Sequence, residues 1–298
     1  MARAIPSESI PAWAEPAKAS HLLATLSLGF GRDVDTTRLL RREHYGPLRV
    51  QKALYPEGPS VAHAIIVHPP GGVVGGDELR IDAKVDTGAA AVVSTPGAAK
   101  WYRANGHVSR QQLSLSVAAD AALEWLPQET IFFNDADVQL DTTIALQGNA
   151  RFVGCDILCF GRTASGERFD SGRIRQRLRI HRDGAPLWLE QGRLIGGSAQ
   201  MRSPLGLAGH TVCANLVAVG APPSSASSAA LMQMLRDRCT SIADGRGRFG
   251  ATQMKSVLLV RYLGDSSEVA RQVMLAAWQL LRPVLLQRDA TELRIWHT

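Results

Sequence analysis

The sequence lacks an apolar stretch long enough to cross a membrane. A span needs about 18 consecutive apolar residues, and every apolar run in the 298 residues is shorter than that. The first twenty residues contain Pro6, Pro11 and Pro16 and have no continuous apolar segment of the kind found in signal peptides. We therefore expect residues 1–20 to form a mobile arm, and we expect no membrane association.

Cysteine is scarce, and its spacing excludes the common cysteine-based sites. None of the four cysteines forms a Cys-x-x-Cys pair, and a chain of this length does not need disulfides to fold. The cysteines are Cys155, Cys159, Cys213 and Cys239. This usage is typical of reduced thiols, and it predicts a cytoplasmic protein.

The sequence also lacks the local motifs of hydrolases and of closed metal sites. It has no Gly-x-Ser-x-Gly, no His-Glu-x-x-His and no His-x-His, and its eight histidines are scattered. A tightly held structural metal is therefore not expected. Ligands contributed singly by distant strands leave no local spacing, so a transient metal site stays open.

Aromatic residues make up only 6% of the chain, although the net charge is +6. The segment GRIRQRLRIHR places Arg173, Arg175, Arg177 and Arg179 on one strand face, with no aromatic side chain between them to stack on bases. This pattern favours a solvated face or a docking face for an acidic protein partner. A basic nucleic-acid-binding β module is the alternative.

Glycine is abundant in one short segment, HPPGGVVGGD at residues 68–77. A phosphate-binding loop would be followed by a helix, because phosphate binds the free N–H groups of a helix N-terminus. Here the next residues, 78–85, alternate apolar and charged side chains, which predicts a half-buried strand. We therefore expect a loop between two strands, in which glycine lets two chain segments approach closely and Asp77 stands at the end. An incidental Asp77 remains the alternative.

Short strand patterns bounded by Gly, Asn, Asp and Pro continue to about residue 220. Asp183-Gly184 predicts a tight hairpin between two of them. Helical spacing is seen only afterwards, so we expect a mainly β fold with about two helices in the C-terminal quarter. Asp265 and Glu268 predict a capping box for the second helix, which Pro283 should end or kink.

Two carboxylates share strand faces with apolar residues. Asp156 alternates in phase with Leu158 and Phe160, and Glu190 is in phase with Trp188. Burying a carboxylate is costly unless it is hydrogen-bonded or paired. The pattern is typical of a satisfied buried carboxylate, and it is also compatible with the lining of a cavity or channel. A third interpretation is the acid/base pair of a β-helical polysaccharide-active enzyme.

Several segments together resemble one protein family, the urease accessory proteins of the D type, also called H type. They are residues 68–77, 94–103 (STPGAAKWYR), 123–138 (LEWLPQETIFFNDADV), 154–167 (GCDILCFGRTASGE) and 294–298 (RIWHT). The resemblance extends over about residues 20–298. It implies a single domain at 21–298, built as two stacked β layers with a β-helix-like path and a helical C-terminal portion.

The same resemblance implies function. Members of the family are maturation factors, not enzymes; they bring the F-type accessory protein and a nickel-carrying GTPase to urease apoprotein and help to install nickel. We therefore expect no tightly bound cofactor, nickel in transit, and no nucleic-acid partner. A water-filled nickel route would give the carboxylates a role, and we predict that Asp77, Asp156 and Glu190 line it, with Thr95 and Glu129 as further candidates. Glu190 rests on strand alternation alone.

Overall fold

The protein folds into two stacked β-sheets with helices added late in the chain. The computed structural model describes residues 21–220 and 225–297, so the expected N-terminal arm lies outside the described residues. The mainly β architecture and the C-terminal helices agree with the expectation from the sequence. Among the described residues, no helix is both long and apolar enough to span a membrane.

The first sheet has seven strands in the order β14-β13-β11-β8-β5-β1-β2. Its strands are β1 (Leu23–Asp33), β2 (Thr36–Tyr45), β5 (Glu78–Val85), β8 (Ser109–Val117), β11 (Asp137–Leu146), β13 (Arg173–Arg182) and β14 (Ala185–Ile195). The inner five strands run parallel, and the hairpin partners β2 and β14 form the two edges.

The second sheet has ten strands, eight of them in the order β16-β17-β15-β12-β9-β6-β4-β3. They are β3 (Arg49–Val50), β4 (Ala62–Val67), β6 (Ala90–Ser94), β9 (Ala122–Leu126), β12 (Arg151–Phe160), β15 (Val212–Val219), β16 (Gly247–Met254) and β17 (Val257–Gly264). The short strands β7 (Ala99–Trp101) and β10 (Thr130–Phe132) pair with each other, and β10 joins β12.

Between β4 and β13 the main strands alternate between the two sheets, so each pass adds a parallel strand to one layer and then to the other. This is the β-helix-like path expected from the family resemblance. The alternation of β5 is the simplest example of how the layers hold together. Leu79, Ile81, Ala83 and Val85 are buried against the second sheet, while the charged residues between them face solvent.

Two long helices, α2 (Ser225–Ala243) and α3 (Ser267–Leu286), cover the outer face of the second sheet, and α1 (Ala199–Arg202) is a single turn. Short 3-10 segments occur at Thr163–Ser165 and Arg294–His297. The second sheet is therefore buried on both faces. This explains why β12 and β15 are almost continuously apolar, whereas strands of the first sheet alternate.

Two details of α3 differ from the sequence expectation. The N-cap is Ser266, whose hydroxyl accepts a hydrogen bond from the Val269 N–H at 3.3 Å. Asp265 is unavailable for capping because its carboxylate accepts bonds from Thr211 and pairs with His210 at 2.9 Å. Pro283 does not end the helix, which continues to Leu286.

A buried ion cluster fixes α3 to the second sheet. Arg282 is fully buried, and its Nη2 donates to both carboxylate oxygens of Glu57 at 2.7 Å. Its Nε donates to Glu124 at 3.0 Å, and Trp278 donates to the same carboxylate at 2.6 Å. Burial alone would raise the pKa of Glu57, but hydrogen bonds from His63 and Arg282 outweigh it and lower that pKa. The cluster joins the C-terminal helix to the loop before β4.

Candidate functional site: a polar cavity between the sheets

A cavity of about 190 Å³ lies between the two sheets, under β12, β15 and β17 and above β8, β11, β13 and β14. Most of its wall is apolar, but it contains a group of polar side chains. These are Gln111, Thr130, Thr142, Asp156, Gln176, Glu190, Gln191, Asn215 and Arg261. A second cavity of about 260 Å³ adjoins the first, since both are lined by Leu158, Gln176, Glu190, Gly192, Asn215 and Arg261.

Asp156 contributes a carboxylate to this wall from β12. Its Oδ2 accepts a hydrogen bond from Gln176 Nε2 at 2.7 Å, and its Oδ1 accepts one from Asn215 Nδ2 at 2.9 Å. Burial raises the pKa of Asp156, although the two amide hydrogen bonds act in the opposite direction. Asp156 is thus a carboxylate held by neutral donors in a largely apolar wall.

Local strand geometry explains this placement. Asp156 is in phase with Leu158 and Phe160, which belong to the core between the sheets, as the alternation predicted. Asn215 lies directly opposite Asp156 on β15, and Gln176 reaches it from β13 in the other sheet. Strand alternation alone did not identify Gln176 and Asn215 as residues of this site. The sequence feature that could have indicated them is an amide side chain on a strand face that is otherwise apolar, such as Gln176 between Ile174 and Leu178.

Glu190 and Arg261 form the outer part of the same wall. Arg261 Nη2 donates to both Glu190 oxygens at 2.9 Å, which links β17 of the second sheet to the edge strand β14 of the first. The side chains are 50% and 42% exposed for Arg261 and Glu190 respectively. Trp188 Nε1 donates to Glu190 at 3.3 Å, in keeping with their predicted common face. This ion pair therefore stands where the cavity meets solvent.

The wall offers oxygen donors but no closed metal cage. Among residues 21–220 and 225–297, no group of three or more His, Cys, Asp and Glu side chains is arranged to hold a metal ion. Cys213 lines the second cavity, but burial raises its pKa to about 12, so its thiol stays protonated. The arrangement suits weak and exchangeable contacts with a cation.

Asp77 does not line this cavity and is instead bonded to backbone. It is 4% exposed, and its two oxygens accept hydrogen bonds from the N–H groups of Leu22 and Val74, each at 3.1 Å. It thereby joins the end of the glycine-rich loop to the start of β1. A nickel contact at Asp77 stays a prediction.

The glycine-rich loop itself connects β4 to β5, as expected, and packs against residues 100–104. Val73 N–H donates to the Lys100 carbonyl and Tyr102 N–H donates to the Val73 carbonyl, both at 2.8 Å. A Cβ on Gly75 would lie 1.7 Å from the Ala104 carbonyl oxygen, so only glycine fits there. Two of the segments that carried the family resemblance are thus packed directly on each other.

Thr95 and Glu129 also lie outside the cavity. Thr95 Oγ1 donates to the Gly97 carbonyl at 3.1 Å and accepts from the Gln128 N–H at 3.0 Å, which fixes the turn after β6. Glu129 is 6% exposed and lies 3.5 Å from Arg271 Nε of α3. Their predicted contact with nickel is untested by this geometry and stays a prediction.

The arginines of β13 lie on the outer face of the first sheet, where β11 supplies acidic neighbours. Asp137 stands opposite Arg173 and accepts its Nε at 3.3 Å, while Arg175 Nη2 is 3.7 Å from the same carboxylate. Arg177 Nε is 3.7 Å from Asp141. No hydrogen bond or ion pair is seen for Arg179 in the described part of the chain, and its Nε is buried. The face is therefore a mixed one, with arginine in excess.

Comparison with known proteins decides the family. Residues 23–297 match the family described as UreD urease accessory protein. The chain belongs to the UreD family. It is 61% identical over 275 residues to the urease accessory protein UreD of Janthinobacterium sp. (strain Marseille), covering 92% of this chain and 91% of that protein. It is 48% identical over 280 residues to the UreD of Nitrosospira multiformis, covering 94% and 99%.

UreD membership makes this chain a urease accessory protein and not an enzyme, as the resemblance implied. Family membership therefore speaks against the interpretation as a polysaccharide-active enzyme. In the structure Asp156 is bound by Gln176 and Asn215, and Glu190 is bound by Arg261. Family membership likewise gives the nucleic-acid interpretation no support.

Proposed function

We propose that this UreD-family chain holds urease apoprotein together with the F-type accessory protein and the nickel-carrying GTPase in the cytoplasm. We further propose that nickel(II) passes through the inter-sheet cavity as cargo on its way to urease. Among the residues predicted from sequence, Asp156 and Glu190 would contact it. The coarser role, urease maturation, follows from family membership, and the cavity supports the finer one.

The observation that carries the proposal is the half-buried, amide-bound Asp156 in a cavity that extends to Glu190 at the surface. A structural carboxylate would normally be placed beside an arginine or on backbone N–H groups, as Glu124 and Asp77 are. Asp156 instead lies in a cavity wall where its two hydrogen-bond donors are the neutral amides of Gln176 and Asn215. Nickel(II) takes oxygen ligands, and rapid passage requires each contact to be weak.

Docking of urease is assigned to the outer face of the first sheet and not to the cavity. On the outer face of β13, the side chains of Arg173, Arg175 and Arg177 are 38%, 39% and 43% exposed. Arg179 lies on the same face, and β14 adds Arg193 beside Arg175. An excess of arginine suits an acidic protein surface, which it would attract over about 10 Å at physiological salt. We place urease on this face, so that the partner lies next to the strand that carries Glu190.

The test is urease activation in cells that co-express urease and its accessory proteins. We expect Asp156→Ala and Glu190→Ala to lower urease activity and nickel content while urease and the F-type partner are still pulled down. Asp82→Ala, exposed on the outer face of β5 and away from β13, is the matched control and should leave nickel content unchanged. Normal nickel content in both cavity variants would contradict the route, and lost pull-down would assign the carboxylates to docking.

The docking assignment has its own test. Arg177→Glu combined with Arg179→Glu reverses two charges on the outer face without touching the cavity. We expect this double variant to lose pull-down of urease while it keeps the F-type partner. If urease is retained and the F-type partner is lost, the outer face of β13 binds the F-type partner and urease binds elsewhere.

A further inference from the structure

Arg261 is a cation at the entrance of a cavity system proposed to conduct cations. It lines the main inter-sheet cavity, the adjoining cavity and a third cavity of about 250 Å³ that is also lined by Cys213. Arg261 is therefore part of the wall of all three spaces. The family role as such does not require a positive charge there.

The geometry gives this guanidinium a specific partner. Arg261 Nη2 lies 2.9 Å from both oxygens of Glu190, so the carboxylate nearest the surface is already occupied. The pair also bridges the two sheets, joining β17 to the edge strand β14. Since both side chains are about half exposed, they can separate without unfolding either strand.

Charge determines what the pair does to a divalent cation. With Arg261 in place, the outer carboxylate is neutralised and a cation approaching Glu190 is repelled by a positive charge only a few ångströms away. With Arg261 removed or turned outward, Glu190 offers a free carboxylate on the way to Asp156. The same side chain therefore controls access and local affinity together.

We propose that Arg261 is the gate of the cavity: it closes the entrance by holding Glu190, and it must release that carboxylate before a divalent cation can bind there. This inference rests on the proposed nickel route and adds the residue that regulates it. Docking of a partner on the β13–β14 hairpin would separate Glu190 from Arg261, because Glu190 lies on that hairpin.

The experiment is isothermal titration of nickel(II) chloride into the full chain. Arg261→Gln removes the charge, and we expect it to bind nickel about tenfold more tightly than wild type, as loss of one nearby repulsive charge predicts. Arg261→Lys keeps the charge and is the matched control, expected within about twofold of wild type. Arg261→Met provides a second neutral variant should the glutamine variant fold poorly, which circular dichroism will report.

The gain must depend on the released carboxylate. We expect Glu190→Gln to abolish the tighter binding when it is combined with Arg261→Gln. Unchanged or weaker nickel binding in both neutral, folded Arg261 variants overturns the gate, even if the route stands. If nickel binding by the wild-type chain is independent of both Glu190 and Asp156, the proposed route fails and the gate fails with it.

Discussion

Replacing Arg282 with methionine should strongly destabilise the chain. The Arg282 side chain is fully buried, and its guanidinium contacts the carboxylates of Glu57 and Glu124 at 2.7–3.1 Å. Methionine would keep much of the aliphatic volume but leave two buried carboxylates without their cation. Breaking a buried ion pair by removing one partner costs about 3–5 kcal/mol. For a chain of this size that corresponds to a fall of about 5–10 °C in the melting temperature.

The assay is thermal unfolding of the full chain followed by circular dichroism. Arg38→Met is the matched control, because Arg38 makes a 2.7 Å pair with Asp33 on the surface, where both side chains are more than half exposed. Such a pair is worth about 0–1 kcal/mol, so the control should melt within about 2 °C of wild type.

A second comparison separates charge from packing. If unpaired carboxylates cause the loss, Glu57→Gln and Glu124→Gln combined with Arg282→Met should recover most of the melting temperature. The single Arg282 variant should also lose less stability at mildly acidic pH, where protonation neutralises the abandoned carboxylates. A melting temperature within about 2 °C of wild type, or no recovery in the triple variant, would refute the role assigned to this cluster.

Three further predictions concern single sites. Burial raises the pKa of Asp156 in the folded state, so this residue makes the free energy of unfolding fall as the pH rises from the unfolded pKa to the folded pKa. Asp156→Asn should remove that fall when urea denaturation is measured at several pH values. An unchanged pH dependence in the variant would contradict this assignment. Gly75→Ala should cost about 3 kcal/mol, since its Cβ would meet the Ala104 carbonyl oxygen, whereas Gly97→Ala, with open space around it, should cost about 0.5 kcal/mol or less in the same assay. Ser266→Ala should lower the free energy of unfolding by about 1 kcal/mol through loss of the α3 N-cap, and an unchanged free energy of unfolding would contradict that cap.

Local patterns predicted the elements that depend on neighbours in sequence. Period-two alternation placed Leu79 and Ile81 in the core and put Asp156 on the face of Leu158. Asp183-Gly184 predicted the β13–β14 hairpin, and both residues have positive φ, 50° and 79°, as its tight turn requires. These features are fixed within a few residues, so one sequence is enough to find them.

The site itself depends on contacts that sequence spacing does not show. Asp156 meets Gln176 across the layers and Asn215 across a strand pair, and Glu190 meets Arg261 seventy-one positions away. Asp77 was grouped with these carboxylates because it stood in a family-like segment, yet its oxygens bind backbone N–H groups. The expected cap at Asp265 was wrong for the same reason, since Thr211 and His210 occupy that carboxylate from a distant part of the chain.

The most direct test of nickel passage is to obstruct the cavity without removing any carboxylate. Thr142 faces the cavity from β11, whereas Ser116 is exposed on the outer face of β8, two strands away from β13. Nickel bound per urease after activation should be measured with Thr142→Phe and with Ser116→Phe as the control. We predict that the Thr142 variant assembles with its partners but leaves urease short of nickel, while the Ser116 variant fills it normally. Full nickel loading by a folded Thr142→Phe protein would contradict passage through this cavity.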